Sequence, residues 1–204
     1  MNKKESLALF LGMLSGDGCL PIKHNGEGYR DYAVQFYNTD KNLVELFSIL
    51  HQELFNETGN VRGQKRNNKK ELFAFCKYSK ETVGKIKSME FPEGVKRDVL
   101  RIPKIIKDGE QTEKLAFIKG FLITDGCIRK NKTIIFHSGS KLFLNDLADL
   151  IESIIYIRKP VKEYTQRRIF RSYQLNLNKK ETNVLLSNMP TWDNGTPAAL
   201  SSIK

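Results

Sequence analysis

Between Tyr32 and Tyr37 the chain alternates with a period of two. Val34 and Phe36 fall on one face, and Ala33, Gln35 and Tyr37 on the other. That is the pattern of a strand with one face in the core. The period then changes to 3.6. Leu43, Leu46, Phe47, Leu50 and Leu54 share one side of a helix, and Asp40 stands where a side-chain cap is needed. Residues 61–66 and 71–78 flank the polar run Asn67-Asn68-Lys69-Lys70, which predicts a hairpin. The second of these strands has two apolar faces, Phe73/Phe75/Lys77 and Leu72/Ala74/Cys76, so its orientation stays open. Ser79 begins a short helix reaching about Met89. The same order then returns. Residues 127–130 and 133–138 flank Asn131-Lys132, and Ser140 caps a helix through Leu144, Leu147, Leu150, Ile151 and Ile154. Residues 159–164 and 168–177 form a hairpin about Gln166-Arg167, and 179–188 a last helix.

The return is a sequence repeat as well. Residues 5–20 and 113–128 align at a shift of 108, with Glu5/Glu113, Leu7/Leu115, Ala8/Ala116, Gly12/Gly120, Leu14/Leu122, Asp17/Asp125, Gly18/Gly126 and Cys19/Cys127 identical. A duplicated unit explains this. Each half therefore reads αββαββα, an α+β organisation. The N-terminal half spans 1–89, a Pro- and Gly-bearing linker 90–111, and the C-terminal half 112–204, ending in an irregular tail from Met189.

Charge adds a partner class. The formal net charge is +11 over 204 residues, which suits a polyanion whose counterions are released on binding. No apolar run approaches the ~20 residues that span a bilayer, so no membrane partner is expected. The N-terminus opens into an amphipathic pattern interrupted by Gly12, Ser15, Gly16 and Asp17. The expected location is intracellular, in cytoplasm, nucleoid or an organelle. Cys19, Cys76 and Cys127 are odd in number and widely spaced, as in a reducing compartment, and show no zinc spacing.

The repeated segment carries the candidate chemistry. Ala8, Gly12 and Gly16 recur every four positions, as do Ala116, Gly120 and Thr124. Such a stripe lies on one helix face and lets two backbones approach closely. The two copies are natural partners. Packed as a symmetric pair they bring Asp17 and Asp125 together at their C-terminal ends. Gly18 and Gly126 follow, and a helix C-cap with positive φ is expected there. An aspartate at a helix C-terminus opposes the macrodipole, and two together repel. A divalent cation resolves the conflict, because hard cations favour carboxylate and carbonyl oxygen. The carbonyls of Gly16 and Thr124 are further candidate ligands. Two carboxylates holding metal beside a phosphodiester suit metal-assisted hydrolysis.

With these residues in view, Phe10-Leu11-Gly12-Met13-Leu14-Ser15-Gly16-Asp17-Gly18 and Ile118-Lys119-Gly120-Phe121-Leu122-Ile123-Thr124-Asp125-Gly126 resemble the two motifs of a LAGLIDADG homing endonuclease. The resemblance implies a monomer of two pseudo-symmetric halves, whose antiparallel sheets form a saddle on double-stranded DNA around a central two-helix interface. It implies that Asp17 and Asp125 bind Mg2+. Mn2+ is expected to substitute, and Ca2+ to support binding without cleavage. Both strands would be cut across the minor groove, leaving short 3′ overhangs, and a free-standing intron-encoded enzyme is the expected setting. Gln35 and Asn38 match the region where the family carries catalytic helpers in the first half; in the second half Ser138, with Arg129 or Lys130, takes that place. Ser15 and Ile123 replace the first acid of the motif. Lys119 stands where a small residue is usual and is expected to snorkel out of the helix pair.

If Val34 and Phe36 face the core, Gln35 and Tyr37 face DNA. Arg62, Gln64 and Arg66 alternate alike on the next strand, and Lys23, Arg30 and Lys77 join the candidate surface. In the second half the candidates are Lys132, His137, Lys162, Tyr164, Arg167, Arg168, Arg171 and Gln174, besides Arg129 and Lys130. Arg158 and Lys159 belong to the same basic stretch. Arginine and glutamine read guanine and adenine edges, while lysines hold phosphates. His24 is a further DNA candidate, and His51 is expected at the surface or in helix packing. The rival readings are an RNA-binding intron maturase and an inactive DNA-binding protein of the same fold. Neither needs both aspartates.

Overall fold

The computed structural model describes residues 1–24, 30–67, 69–166 and 170–189. The first half runs α1 (Lys3–Asp17), β1 (Gly18–Cys19), β2 (Ile22–His24), β3 (Arg30–Asn38), α2 (Lys41–Phe55), β4 (Asn60–Arg66), β5 (Lys69–Tyr78) and α3 (Lys80–Ser88). The short α4 (Lys104–Lys107) lies in the stretch read as a linker. The second half runs α5 (Gln111–Asp125), β6 (Gly126–Ile128), β7 (Ile134–Ser138), α6 (Lys141–Ile155), β8 (Val161–Gln166), β9 (Phe170–Leu177) and α7 (Lys179–Asn188). Two antiparallel sheets result, in the orders β1-β3-β5-β4 and β6-β7-β9-β8, with β2 also pairing β3. The α+β saddle of two like halves is thus the fold.

Local signals explain the helices. Asn2 and Glu5 close a capping box at the start of α1, with the Asn2 side chain accepting from the Glu5 N–H at 2.9 Å. Asp40 caps α2 and Ser140 caps α6. Their far ends match as well. Asn56 and Tyr156 close the two helices in the left-handed conformation, at φ 55° and 57°. These pairs sit 100 positions apart, whereas the aspartates sit 108 apart. The eight-residue difference falls between β1 and the end of β3, where the first half holds β2 and the second has a tight turn closed by the Lys132 N–H to the Arg129 carbonyl. Strand ends differ from the expected hairpins by one or two residues. Lys69 and Lys70, expected in a turn, begin β5.

The core is aromatic and doubled. Phe36 stacks on Phe47 with centroids 4.4 Å apart, and Phe10 on Phe47 at 4.6 Å. Phe121, Phe136 and Phe143 form the counterpart. His51 is fully buried among Phe10, Phe55 and Phe75, which removes the surface option for it. Its Nδ1 donates to the Glu57 carbonyl at 2.9 Å, and burial holds the ring below the ordinary histidine pKa.

Residues 101–107 are tied to α6 through Asp146, which is 7% exposed. Its carboxylate accepts from Arg101 Nε and an Arg101 terminal nitrogen, each at 2.8 Å, and from the Ile102 N–H at 3.1 Å. It also pairs with Lys107 at 2.9 Å. Burial alone would raise its pKa, but these donors outweigh burial and lower it. Asp146→Ala strands the buried Ile102 N–H, and is expected to cost about 3 kcal/mol in urea unfolding. Because the folded pKa is depressed, that stability is present above the ordinary aspartate pKa of about 4 and is lost as pH falls through the folded value. A variant within 0.5 kcal/mol of the parent would refute a structural role for this carboxylate.

Candidate functional site

The two repeated helices pack backbone to backbone. A Cβ added at Gly12 would lie 2.2 Å from the Phe117 carbonyl oxygen; one at Gly120 would lie 2.3 Å from that of Leu9 and 3.1 Å from the Gly12 Cα. At the end of the stripe, a Cβ on Gly16 would meet Thr124 Oγ1 at 2.0 Å. That hydroxyl is turned onto its own helix, donating to the Gly120 and Phe121 carbonyls. The expected small-residue interface is therefore the centre of the molecule, and it sets Asp17 beside Asp125.

Gly18 and Gly126 do not adopt positive φ. They lie at −94° and −95°, extended, because each helix passes straight into a strand rather than through a left-handed cap. Glycine is required there by proximity. A Cβ at Gly18 would come within 2.9 Å of the Leu14 Cδ1, Cα and carbonyl oxygen, and one at Gly126 would do the same at Leu122. Lys119 also departs from expectation. It is 7% exposed and stays within the protein, since α5 is enclosed along nearly its whole length.

Burial raises the pKa of Asp17, against the pull of a hydrogen bond from Asn38 Nδ2 at 2.6 Å and of Lys96. Burial pushes the Asp125 carboxyl up to about 6; the Asp17 charge pushes the same way and Lys96 opposes it. Two desolvated, mutually repelling carboxylates are what a divalent cation would relieve. Among the described residues no group of three or more His, Cys, Asp or Glu is gathered for a metal. Backbone oxygens at the end of α1 lie beside the acids, and a positive group already rests on them. Lys96 Nζ donates to the carbonyls of Leu14, Ser15 and Gly16 at 3.1, 2.8 and 2.6 Å. The residues thus fit a hard cation held by Asp17, Asp125 and the Gly16 carbonyl.

The neighbours of the acids are unlike. Asn38 reaches Asp17 through its side-chain amide. Gln35 does not, being engaged in its own sheet. It accepts from the Tyr37 hydroxyl at 2.8 Å and lies against Cys19 and Cys76. Ser138 and Asp125 instead line an open cavity of about 350 Å3, with Lys96, Arg97, Ser140 and Ser172. Lys96 and Arg97 were not legible as site residues. Both come from the linker, and Lys96 lies about 80 positions from the carbonyls it meets.

The sheet faces follow from register. Gln35 pairs with Cys76 and Cys76 with Asn60; Tyr37 pairs with Ala74 and Ala74 with Arg62; Leu72 pairs with Gln64. This face lies opposite Val34, Phe36 and Phe75 and exposes Arg62 and Gln64. In the second sheet His137, Gln174 and Lys162 align, as do Ser172 and Tyr164. Arg129, Lys130 and Lys132 are exposed where β6 turns toward β7. Burial, and then Arg129, lower the His137 pKa.

Register removes Lys77 from the polar face. It pairs with Val34, on the core side, and its ammonium lies 3.9 Å from Glu57. Arg158 and Lys159 are ion-paired, Arg158 with Asp149 and Glu152 on α6 while staying exposed, and Lys159 with Glu181 on α7. Lys23, Arg30, Arg66 and Arg171 have backbones in strands, but their side chains lie outside the described part, as does that of His24. Arg167 and Arg168 fall outside the described residues altogether. No helix among the described residues is long and apolar enough to cross a membrane.

Comparison with known proteins bears on this geometry. A family model for a LAGLIDADG-like domain matches residues 112–184. A DNA polymerase of Thermococcus kodakarensis is 29% identical over 152 residues, 74% of this chain but 8% of that protein. The homing endonuclease I-DmoI, solved with DNA and Ca, superposes with TM-score 0.73 at 19% identity, covering 99% of this chain and 98% of that one. I-WcaI, a homing endonuclease bound to its DNA recognition sequence, gives TM-score 0.65 at 14% identity, covering 92% and 81%. At these identities the structural likeness is one of fold. Residues 112–184 thus match a LAGLIDADG-like domain, and the chain as a whole has the two-half fold of the homing endonucleases I-DmoI and I-WcaI.

Proposed function

We propose that this protein is a site-specific DNA endonuclease that hydrolyses phosphodiester bonds with divalent metal, in the manner of an intron-homing enzyme. The observation that carries the reading is the meeting of Asp17 and Asp125 at the joined ends of α1 and α5, each carboxyl raised by burial. The polar sheet faces and the surplus of +11 suit a duplex seated across both halves. Proteins of this fold crystallised with DNA together with Ca or Mn support the same partner and the same class of cation. Bound metal would supply activated water and charge for the leaving oxygen. The chain's own part is to hold the ligands rigidly. Asn38 fixes the Asp17 carboxylate, the Gly12–Gly120 contact fixes the spacing, and the sheets hold the phosphates in register. Mg2+ is the working ion in this proposal, and one chain supplies both acids.

The test begins with selection of a target from randomised duplex DNA in Ca2+. A supercoiled plasmid carrying that target is then treated with Mg2+, Mn2+ or Ca2+. Linear product is expected with Mg2+ and Mn2+, and binding alone with Ca2+. Intact plasmid under all three, with binding retained, would favour the inactive DNA-binding reading; selection of RNA over DNA would favour the maturase. Asp17 has a bonded amide partner while Asp125 faces an open cavity. The two strands should therefore be cut at unequal rates, and a nicked circle should accumulate before the linear form. Loss of supercoil straight to linear product would refute that asymmetry.

A further inference from the structure

Lys96 is the feature that neither the repeat nor the resemblance anticipates. It lies between the halves, in a segment anchored to the first by the Gly94 N–H, which donates to the Leu20 carbonyl at 2.7 Å. Its ammonium has three protons, and the structure gives it three carbonyls: Leu14, Ser15 and Gly16. These oxygens are left over at the end of α1 because the chain enters β1 directly, with no further turn to use them. Asp17 and Asp125 both act on the same ammonium through their charge. Cys19 acts on it in the same way; the three groups that accept its hydrogen bonds are all oxygens, in surroundings that are negative and largely desolvated. This is the environment of a hard cation, with an ammonium in the cation's place.

We propose that Lys96 is a tethered cation that occupies the Gly16 carbonyl in the metal-free protein and competes with divalent metal for that oxygen. The inference rests on the metal site argued above. A single ammonium balances one carboxylate, so the acid pair retains a net charge that a divalent ion would cancel. The ammonium and the ion cannot share the Gly16 oxygen cheaply. A carbonyl has two lone pairs, but a lysine nitrogen at 2.6 Å and a metal at roughly 2.1–2.4 Å from the same atom would repel each other in a poorly screened site. Metal entry therefore requires Lys96 to give up Gly16, keeping Ser15 and Leu14 or turning toward the cavity beside Asp125. Lys96 is a positioning residue here. It holds the α1 terminus and the acid pair in place before metal arrives, at the expense of metal affinity. A plain helix-capping role would predict lower stability on removal and no gain in metal binding.

The test uses the whole chain and Mn2+, whose free form is read by electron paramagnetic resonance. Lys96→Met removes charge and donors, Lys96→Gln keeps a neutral donor and guards against misfolding, and Asp17→Asn serves as the site control. Lys96→Met and Lys96→Gln are expected to bind Mn2+ about tenfold more tightly than the parent, by the loss of one nearby positive charge. Both should melt lower than the parent in EDTA, and both should gain more in melting temperature from added Mn2+. Unchanged or weaker Mn2+ binding in both Lys96 variants, with the parent's binding abolished by Asp17→Asn, overturns the competition and leaves the metal site standing. Mn2+ binding that is equal in the parent and Asp17→Asn overturns the metal site and the competition together.

Discussion

Gly12→Val is expected to cost about 4 kcal/mol or more, a large share of the 5–15 kcal/mol that holds a typical domain folded. The reason is the kind of atom it meets. A Cβ at this position lies 2.2 Å from the Phe117 carbonyl oxygen and 3.0 Å from the Phe121 nitrogen, both backbone. No rotamer change moves them. The helices would have to part by about an ångström, and both are packed on their far sides by fully buried Phe10, Phe117 and Phe121. Gly120→Val should behave alike, because Gly120 meets the Leu9 carbonyl across the same contact. Gly84 provides the contrast. It lies inside α3, and a Cβ there has nothing within 4 Å. Gly84→Ala should therefore stabilise by about 0.5–1 kcal/mol through helix propensity alone. Thermal unfolding of the three variants checks the claim. A melting temperature for Gly12→Val within 2 °C or so of the parent would mean that the helix pair is not the central contact.

That contact was legible because it depends on spacing, which sequence displays directly. Small residues at intervals of four mark a helix face, and the 108-residue repeat names the partner. The caps at Asp40 and Ser140 were legible for a similar reason, since a capping side chain acts on its own neighbours. Misreadings gathered where the deciding contact is distant. Lys77 stands in a strand with apolar residues on both faces, so spacing leaves its side open, and only its pairing with Val34 and the nearby Glu57 settle the matter. The glycines after the aspartates were given positive φ from a local rule for helix ends. The chain instead runs directly into β1 and β6, and crowding by the backbone and side chain of Leu14 and Leu122 excludes larger residues. The ion pairs of Arg158 and Lys159 with the acids of α6 and α7 likewise leave no local trace, because the partners come from other elements. Lys96 had no local signature at all. A lysine in a Pro- and Gly-bearing linker becomes part of the site only through a contact with carbonyls some 80 residues away.

Asp17→Asn and Asp125→Asn are expected to lower the cleavage rate by a factor of about 10³ or more while leaving DNA affinity in Ca2+ within about tenfold. The amide keeps the shape of the carboxyl and removes the charge that holds metal, so the variants separate chemistry from recognition, which rests on the sheet faces. Stability should move the other way. Burial and the facing Asp17 raise Asp125 to about 6, so near neutral pH the folded state carries a carboxylate that it disfavours. Because the folded pKa is raised above the unfolded value, this penalty is absent at low pH and grows as pH rises past the ordinary aspartate value. Asp125→Asn should therefore melt a few degrees higher than the parent at pH 8 and gain little at pH 4. Asp17→Asn should follow with a smaller gain, because Asn38 already bonds the Asp17 carboxylate. An acid kept at such a cost to the fold points to a task outside folding. Full cleavage by either variant would sink the assignment. Equal stability of parent and Asp125→Asn across pH 4 to 8 would remove the electrostatic conflict on which the metal site is argued.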